Sequence, residues 1–348
     1  MKILYIMLIC MVFLISGLFE SCSGSAGIKS QAEKADVSTE EVRQNITFAS
    51  WNVQTFFDAR TTGTEYDDFK KAGNWSKDKY LVRLGRLCDV LTSLNPDVIV
   101  LEEIENAEVV QDIVNQLAGK NWNRSKRWEY AFFAKENGSA IGCAVFSRYR
   151  ISDISVHSMD IRCQQIAQPQ CRPVIQFSVE SKGRHFWVLA NHWKSKLGAD
   201  ESRIWRQWQE SVAGDRLCRL LAKSEAVILC GDFNQDIGEF CPGISGDSGS
   251  KAKVLFRSGG AGGRKVSEVY SPWLTQGGAL STKTGSYYYQ GEWERIDHIF
   301  AAGSARIAAF APRSEEPWAD TEGRPIAYRI YNGEGYSDHL PVMCTVTF

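Results

Sequence analysis

The sequence has no surplus of charge of either sign. Lys and Arg number 40 against 41 Asp and Glu, a formal net charge of −1 at pH 7. The overall field therefore offers a polyanion no attraction, and any that binds must be held by a local basic patch. No Cys-x-x-Cys pair occurs among the 10 cysteines, which argues against a structural zinc site. At 348 residues the chain is also too long to need a disulfide scaffold. An internal repeat of fixed period is lacking, so solenoids and propellers are excluded. Beyond the N-terminus no apolar run reaches spanning length. What is there is a globular composition, 44% hydrophobic and 11% aromatic, on a chain long enough to bury a sizeable core.

Residues 3–19 are uncharged and follow Lys2, the pattern of a secretory signal. Cys22 comes directly after them, ahead of Ser23, Gly24 and Ser25, and this is similar to a bacterial lipoprotein processing site. The expectation is a signal peptide over 1–21, a lipid on Cys22, a polar flexible tether over 22–45 and one domain over 46–348. Such a protein is exported. It stays at the bacterial cell envelope if lipidated, and is otherwise periplasmic or extracellular. In an oxidising compartment Cys163 and Cys171, which flank a polar loop, could form a disulfide. Cys88, Cys143, Cys230 and Cys344 lie inside apolar segments and read as buried thiols.

The body alternates strands with helices. Ile46–Trp51 alternates as a strand, and Tyr80, Leu84, Leu87, Leu91 and Leu94 have helical spacing over 77–94 until Asn95-Pro96 stops it. Residues 97–101 read as a buried strand and Val109–Leu117 as a helix. Strands are expected near 129–134, 141–147, 151–157, 173–179 and 184–190. A long helix over 200–222 and strands at 226–230, 296–300 and 341–346 follow. The Gly- and Ser-rich stretch 241–286 and the polar stretch 311–336 read as irregular. This count predicts an α/β fold of two packed sheets with helices outside.

Polar residues recur at the ends of these apolar runs: Trp51-Asn52, Leu101-Glu102-Glu103, Asn191-His192, Gly231-Asp232-Phe233-Asn234, Ile296-Asp297 and Ser337-Asp338-His339. Ionisable groups in such places are costly unless paired or bound to metal. The Asn, Asp, Glu and His inventory suits Mg²⁺, Mn²⁺ or Ca²⁺ better than zinc. With a His beside an Asp, it suits metal-assisted attack of water on a phosphate ester.

These motifs, in this order, resemble the endonuclease/exonuclease/phosphatase superfamily, within which Leu101–Asn106, Cys171-Arg172-Pro173, Asn191–Lys196 and Gly285–Tyr289 are most similar to bacterial extracellular nucleases. The resemblance implies a four-layer sandwich of two mixed β-sheets flanked by helices, and metal-dependent cleavage of DNA or RNA. It makes Glu103 the main metal ligand, assisted by Asn52 and Asp338. Asp232 takes the proton of the attacking water, and Asn234 holds that water or a phosphate oxygen. Asp297 fixes and charges His339, and His192 contacts the phosphate or protonates the leaving oxygen. A metal and cationic imidazoles then offset the growing transition-state charge.

Arg148, Arg172, Asn191, Lys194 and Lys196 are expected to contact substrate. Glu103 is preferred to Glu102 by register with Leu101, leaving Glu102 and Glu105 as supporting or surface groups. Alternation puts His298 on the face opposite Asp297, Asp236 reads as a loop cap, and Arg203 and Arg206 as part of a solvated helix face. Other readings of the same chain are a phospholipid or inositol-phosphate phosphoesterase and a non-catalytic binding module; no protein partner is implied. Replacing Cys22 with Ser should move the protein from the membrane fraction to the soluble fraction, and unaltered fractionation would point to another anchor.

Overall fold

The computed structural model describes residues 43–348, apart from 72, 120–126, 161–167, 198, 242–253 and 260–264. The signal segment, most of the tether, Cys22 and Cys163 lie outside the described residues, and with them the lipid and disulfide expectations. The N-terminal half runs β1 (Asn45–Phe56), α1 (Asp67–Lys70), α2 (Lys77–Leu94), β2 (Val98–Ile104), α3 (Ala107–Gly119), β3 (Tyr130–Ala134), β4 (Gly142–Ser147) and β5 (Arg150–His157). It continues with β6 (Val174–Ser181), β7 (Arg184–His192), α4 (Ala199–Leu221), β8 (Ala226–Asp232), α5 (Ile237–Phe240), β9 (Val254–Ser258) and β10 (Lys265–Val269). The chain closes with β11 (Tyr287–Tyr289), β12 (Glu292–Glu294), β13 (Asp297–Gly303), β14 (Arg306–Pro312) and β15 (Val342–Thr347).

Two mixed sheets form the centre, one ordered β14-β15-β1-β2-β4-β3 and the other β13-β8-β7-β6-β5. Even-numbered residues of β1 as far as Asn52 face the second sheet, where Phe48 meets Phe186 edge-on at 6.4 Å. Odd-numbered Ala49, Trp51 and Val53 instead pack with Leu84, Leu87 and Leu91 of α2 and Val109 and Ile113 of α3. Helix α4, through Ala213 and Leu217, and the β9–β10 hairpin, through Phe256, cover the far side of the second sheet. The four-layer α/β sandwich expected from the motifs is the observed fold.

Within 241–286, expected to be irregular, Val254–Ser258 and Lys265–Val269 pair as antiparallel strands. The Gly-rich composition around them masks their short alternation. Strands β11, β12 and β14 were equally unread, being short or edge elements.

The direction of the strands decides where the polar ends meet. β1 runs parallel to β2, and β7 parallel to β8, so Asn52, Glu102, His192 and Asp232 end at the same rim. Asp297 comes from the start of β13, and reaches this rim because β13 is antiparallel to β8 and pairs Asp297 with Asp232. His339 precedes β15, which is antiparallel to β1. The approach of β7 and β8 depends on Gly231, whose φ is +126° and where a Cβ would lie 1.8 Å from the Asn191 carbonyl oxygen.

His298 sits on the outer face of the second sheet, as alternation predicts. Its ring stacks on Phe300 (4.6 Å, 14°) and abuts Phe233 and Phe240, and its Nε2 lies 2.9 Å from the Gln235 carbonyl. Burial pushes its pKa down to about 4. The unfolded chain takes up this proton near pH 6.5, so stability present above pH 6.5 is lost as pH falls towards 4, by up to about 3 kcal/mol. His298→Gln should flatten the stability profile between pH 6.5 and 4 in denaturant titrations, and an unchanged slope would clear His298 of the effect.

Candidate functional site

Asn52, 2% exposed, is the hub of the rim. Its Nδ2 donates to Glu103 Oε1 (3.2 Å) and to Asp232 Oδ2 (3.1 Å), joining the two sheets. Simple alternation would bring Glu102 here, since Asn52 pairs with Glu102. Glu102 is instead fully buried below, where it accepts the Ser50 hydroxyl at 2.7 Å and burial holds its carboxyl well above the usual range. Glu103 arrives by a β-bulge: the register of β2 with both β1 and β4 shifts at this point, and Glu103 has φ +68°. Leu101 faces α2 and α3, so register with Leu101 does not bring Glu103 to the rim; the bulge does. The Thr55 N–H donates to Glu103 Oε2 and fixes the carboxylate. Glu105, expected as a supporting or surface group, is buried and accepts the Asp58 N–H.

Asp232 is held from two sides. Its Oδ2 accepts the Asn234 amide at 2.9 Å and its Oδ1 the Asn234 N–H at 2.8 Å. Asn234 reaches it from a left-handed turn, φ +49°. Burial, opposed by His339, raises the Asp232 carboxyl to about 7. Asp297 Oδ2 lies 2.8 Å from His339 Nδ1, while its Oδ1, buried, has no partner. Burial pushes the His339 pKa down, but the Asp297 charge and hydrogen bond, with Asp338 and Asp232, hold it well above normal. These neighbours thus favour the imidazolium form of His339.

His192 is the reverse. Its Nε2 is 3.5 Å from Glu103 Oε1 and 3.7 Å from Asp232 Oδ2, and its Nδ1 is buried without a partner. Burial, with Arg172 and His339, holds its pKa well below normal. The surroundings of the two imidazoles thus push in opposite directions, towards the cation at His339 and towards the neutral ring at His192. Asp338, 4.0 Å from His339 Nε2, completes the ring, and burial with the Glu103 charge raises its carboxyl.

Two expected substrate contacts are elsewhere. Arg148 pairs with Asp97 (2.6 Å) at the start of β2, the end of the sheet away from the rim. The antiparallel course of β4 carries it there. Asn191 is buried on the α4 side, its Nδ2 donating to the Leu189 carbonyl and its Oδ1 accepting the Trp193 indole N–H, since alternation that turns His192 inward turns Asn191 outward. Arg172 does stand at the rim, bonded to the Trp193 carbonyl and close to the Tyr66 phenol. Lys194 is close enough to Arg172 that the two repel. Lys196 reaches the far wall, where it pairs with Glu294 at 2.6 Å. Asp236 caps α5 in a capping box, as read from the sequence. Arg206 is half-paired with Ser202 and loop carbonyls, so it is part of the α4–β7 junction, not a solvated face.

Sequence reasoning missed Gln54 and Tyr287. The Gln54 side-chain oxygen accepts the Tyr328 N–H (2.7 Å) and the Asp338 N–H (3.1 Å). The Tyr287 ring lies 4.8 Å from that of His339 and stacks on the half-exposed Tyr289. The Tyr-x-Tyr alternation beside the Ile296-Asp297 motif was the available signal.

The Endonuclease/Exonuclease/phosphatase family matches residues 49–339 of this chain. The protein is a member of that family. A comparison with curated proteins found no match. Among solved structures, truncated TDP2 from Caenorhabditis elegans is 14% identical with TM-score 0.53, over 87% of this chain and 98% of that one. D. rerio TDP2 complexed with single strand DNA product is 17% identical with TM-score 0.53, over 87% and 98%. A mannosyl-6-phosphatase from Bacteroides thetaiotaomicron is 15% identical with TM-score 0.51, over 87% and 100%. At these identities the likeness is one of fold.

Enzymes of the Endonuclease/Exonuclease/phosphatase family typically use divalent metals such as Mg²⁺, and the donor set here fits one. It is all hard oxygen apart from the imidazoles. Asp232, Asp297 and His339 offer ligand atoms within 4.8 Å of one another, but their charges already offset each other through the Asp297–His339 bond. Burial and Glu103 raise the Asp338 carboxyl, and His339, 4.0 Å from Asp338, opposes that rise only in part. A cation bound here should stabilise the fold: at 100 times its Kd, Mg²⁺ or Mn²⁺ adds about 2.7 kcal/mol, a rise of a few degrees in Tm. Glu103→Gln should abolish most of that rise in melting experiments, and an undiminished rise would place the cation elsewhere.

Proposed function

We propose that this protein is a metal-dependent phosphodiester hydrolase that cleaves nucleic acid. The observation that carries this reading is the pairing, across one crevice, of an imidazole bonded to Asp297 with a carboxylate held by two amides. Glu103, Asn52 and Asp338 would hold the metal, which neutralises phosphate charge and polarises the ester when bound. Asp232, oriented by Asn52 and Asn234, accepts the proton of the attacking water. His339 donates from Nε2 to a phosphoryl oxygen, its other nitrogen anchored on Asp297. His192, neutral, orients a phosphate oxygen through Nε2 rather than contributing charge.

The walls of the crevice favour a polymer with bases. Arg172 and Lys194 stand on one side; Tyr287, beside His339, and the exposed Tyr289 stacked on it stand on the other. Cations suit phosphates and exposed rings suit bases. A fold neighbour solved with a single-stranded DNA product is in keeping with this. The lipid on Cys22 would hold the enzyme at the bacterial envelope.

Residues 23–348 should nick plasmid DNA or degrade RNA with Mg²⁺ or Mn²⁺ and stop in EDTA. Activity confined to sphingomyelin, inositol phosphates or sugar phosphates would overturn the substrate assignment. His339→Ala should lower kcat by about 10²–10³-fold without unfolding the protein. Tyr289→Ala should lower kcat/KM on a single-stranded oligonucleotide about 10-fold yet spare bis(p-nitrophenyl) phosphate, which has no base to stack.

A further inference from the structure

Helix α2 carries Lys79, Arg83 and Arg86 at spacings of four and three, so the three cations form one row. Their hydrogen bonds go to main-chain carbonyls. Lys79 Nζ donates to Asn74 (2.8 Å), Gly73 (3.3 Å), Ile330 (2.9 Å) and Tyr331 (2.9 Å). Arg86 Nη1 donates to Gly333 (2.7 Å) and Gly335 (3.3 Å). Arg83, between them and only 2% exposed, donates to three consecutive carbonyls: Val53 (2.9 Å), Gln54 and Thr55 (3.0 Å). Its guanidinium lies 3.6 Å from the centroid of Tyr328 and 4.7 Å from that of Phe56.

Val53–Thr55 is the overrun of β1 just past Asn52. Gln54 and Thr55 are both left-handed there, at φ +53° and +44°, an arrangement that non-glycine residues keep only where their surroundings enforce it. Every proposed metal ligand is aimed from this segment. The Gln54 N–H donates to Asn52 Oδ1 at 2.9 Å, the Thr55 N–H to Glu103, and the Gln54 side chain receives the Asp338 N–H.

We propose that Arg83 is a positioning residue for the divalent cation: by gripping the Val53, Gln54 and Thr55 carbonyls it sets the β1 overrun that brings Asn52, Glu103 and Asp338 to one point before metal arrives. The proposal rests on the metal-site reading above. Its buried positive charge also faces Glu103 and Asp338, offsetting their repulsion while the site is empty of metal. Lysine cannot replace it, because a single ammonium neither spans three carbonyls nor stacks flat on Tyr328. Partners that orient metal ligands from outside typically set metal affinity by 10–100-fold when removed.

The test is Mn²⁺ binding to the substrate-free protein, followed by the EPR signal of free Mn²⁺, with circular dichroism and melting curves to establish folding. Arg83→Lys and Arg83→Met should both weaken Mn²⁺ by about 10–100-fold, with no rescue by lysine. Arg86→Met, which acts further out at Gly333 and Gly335, should stay within about twofold, separating positioning from general loss of stability. Should the Arg83 variants fold poorly, Gln54→Met removes the acceptor of the Tyr328 and Asp338 N–H groups and the Nε2 donor to the Tyr328 carbonyl (3.3 Å), and should weaken Mn²⁺ in the same direction. Folded Arg83 variants with wild-type Kd, or a Gln54→Met variant with wild-type Kd, would overturn the proposal. No Mn²⁺ binding by the wild-type protein would instead overturn the metal-site reading on which it stands.

Discussion

Four carboxylates, those of Glu103, Asp232, Asp297 and Asp338, meet at one end of the sandwich, and their mutual repulsion governs what surrounds them. Carboxylates this close raise each other's proton affinity unless something positive or hydrogen-bonding intervenes. Here Asp232 is bound by two amides, Asp297 by the His339 imidazole, and Glu103 by a backbone N–H and the Asn52 amide. A fifth acid, Glu102, is buried beneath them and is shifted towards its neutral form. The distorted backbone at the rim, left-handed at Gln54, Thr55, Glu103 and Asn234, exists where these donors must be aimed.

Repulsion of this kind is useful only if a cation and a phosphate arrive to relieve it. The two sheets contribute unequal halves. The first supplies Asn52, Glu103 and the approach of Asp338, the oxygen-rich half suited to a metal. The second supplies His192, Asp232 and Asp297, which in the proposed reaction would handle protons and charge on the phosphate. Asn52 joins them by bonding to one carboxylate from each. Catalysis by such a site depends on donors fixed in advance, not on flexibility.

Much of this was legible in the sequence. Helices α2 and α3 and the long buried strands follow apolar spacing closely, because each of them has one face or both in a core. The site residues are adjacent to apolar runs, which marks them as strand ends. What the sequence hid is direction and distortion. Arg148 and Asn191 sit next to apolar runs as well, yet the antiparallel course of β4 and the alternation of β7 carry them away from the crevice. Glu103 reaches it only through a bulge that no periodicity announces. The row of cations on α2 was overlooked because the apolar stripe of that helix accounts for its existence, and the carbonyls that those cations bind are distant in sequence.

A crystal of the protein loaded with Mn²⁺, with diffraction collected at the manganese absorption edge, tests the central claim most directly. The account predicts one strong anomalous peak within coordinating distance of Glu103 and Asp338 and beside Asn52, on the near side of the crevice from His339. A peak on another surface, or none at the rim in crystals that bind manganese elsewhere, would contradict it.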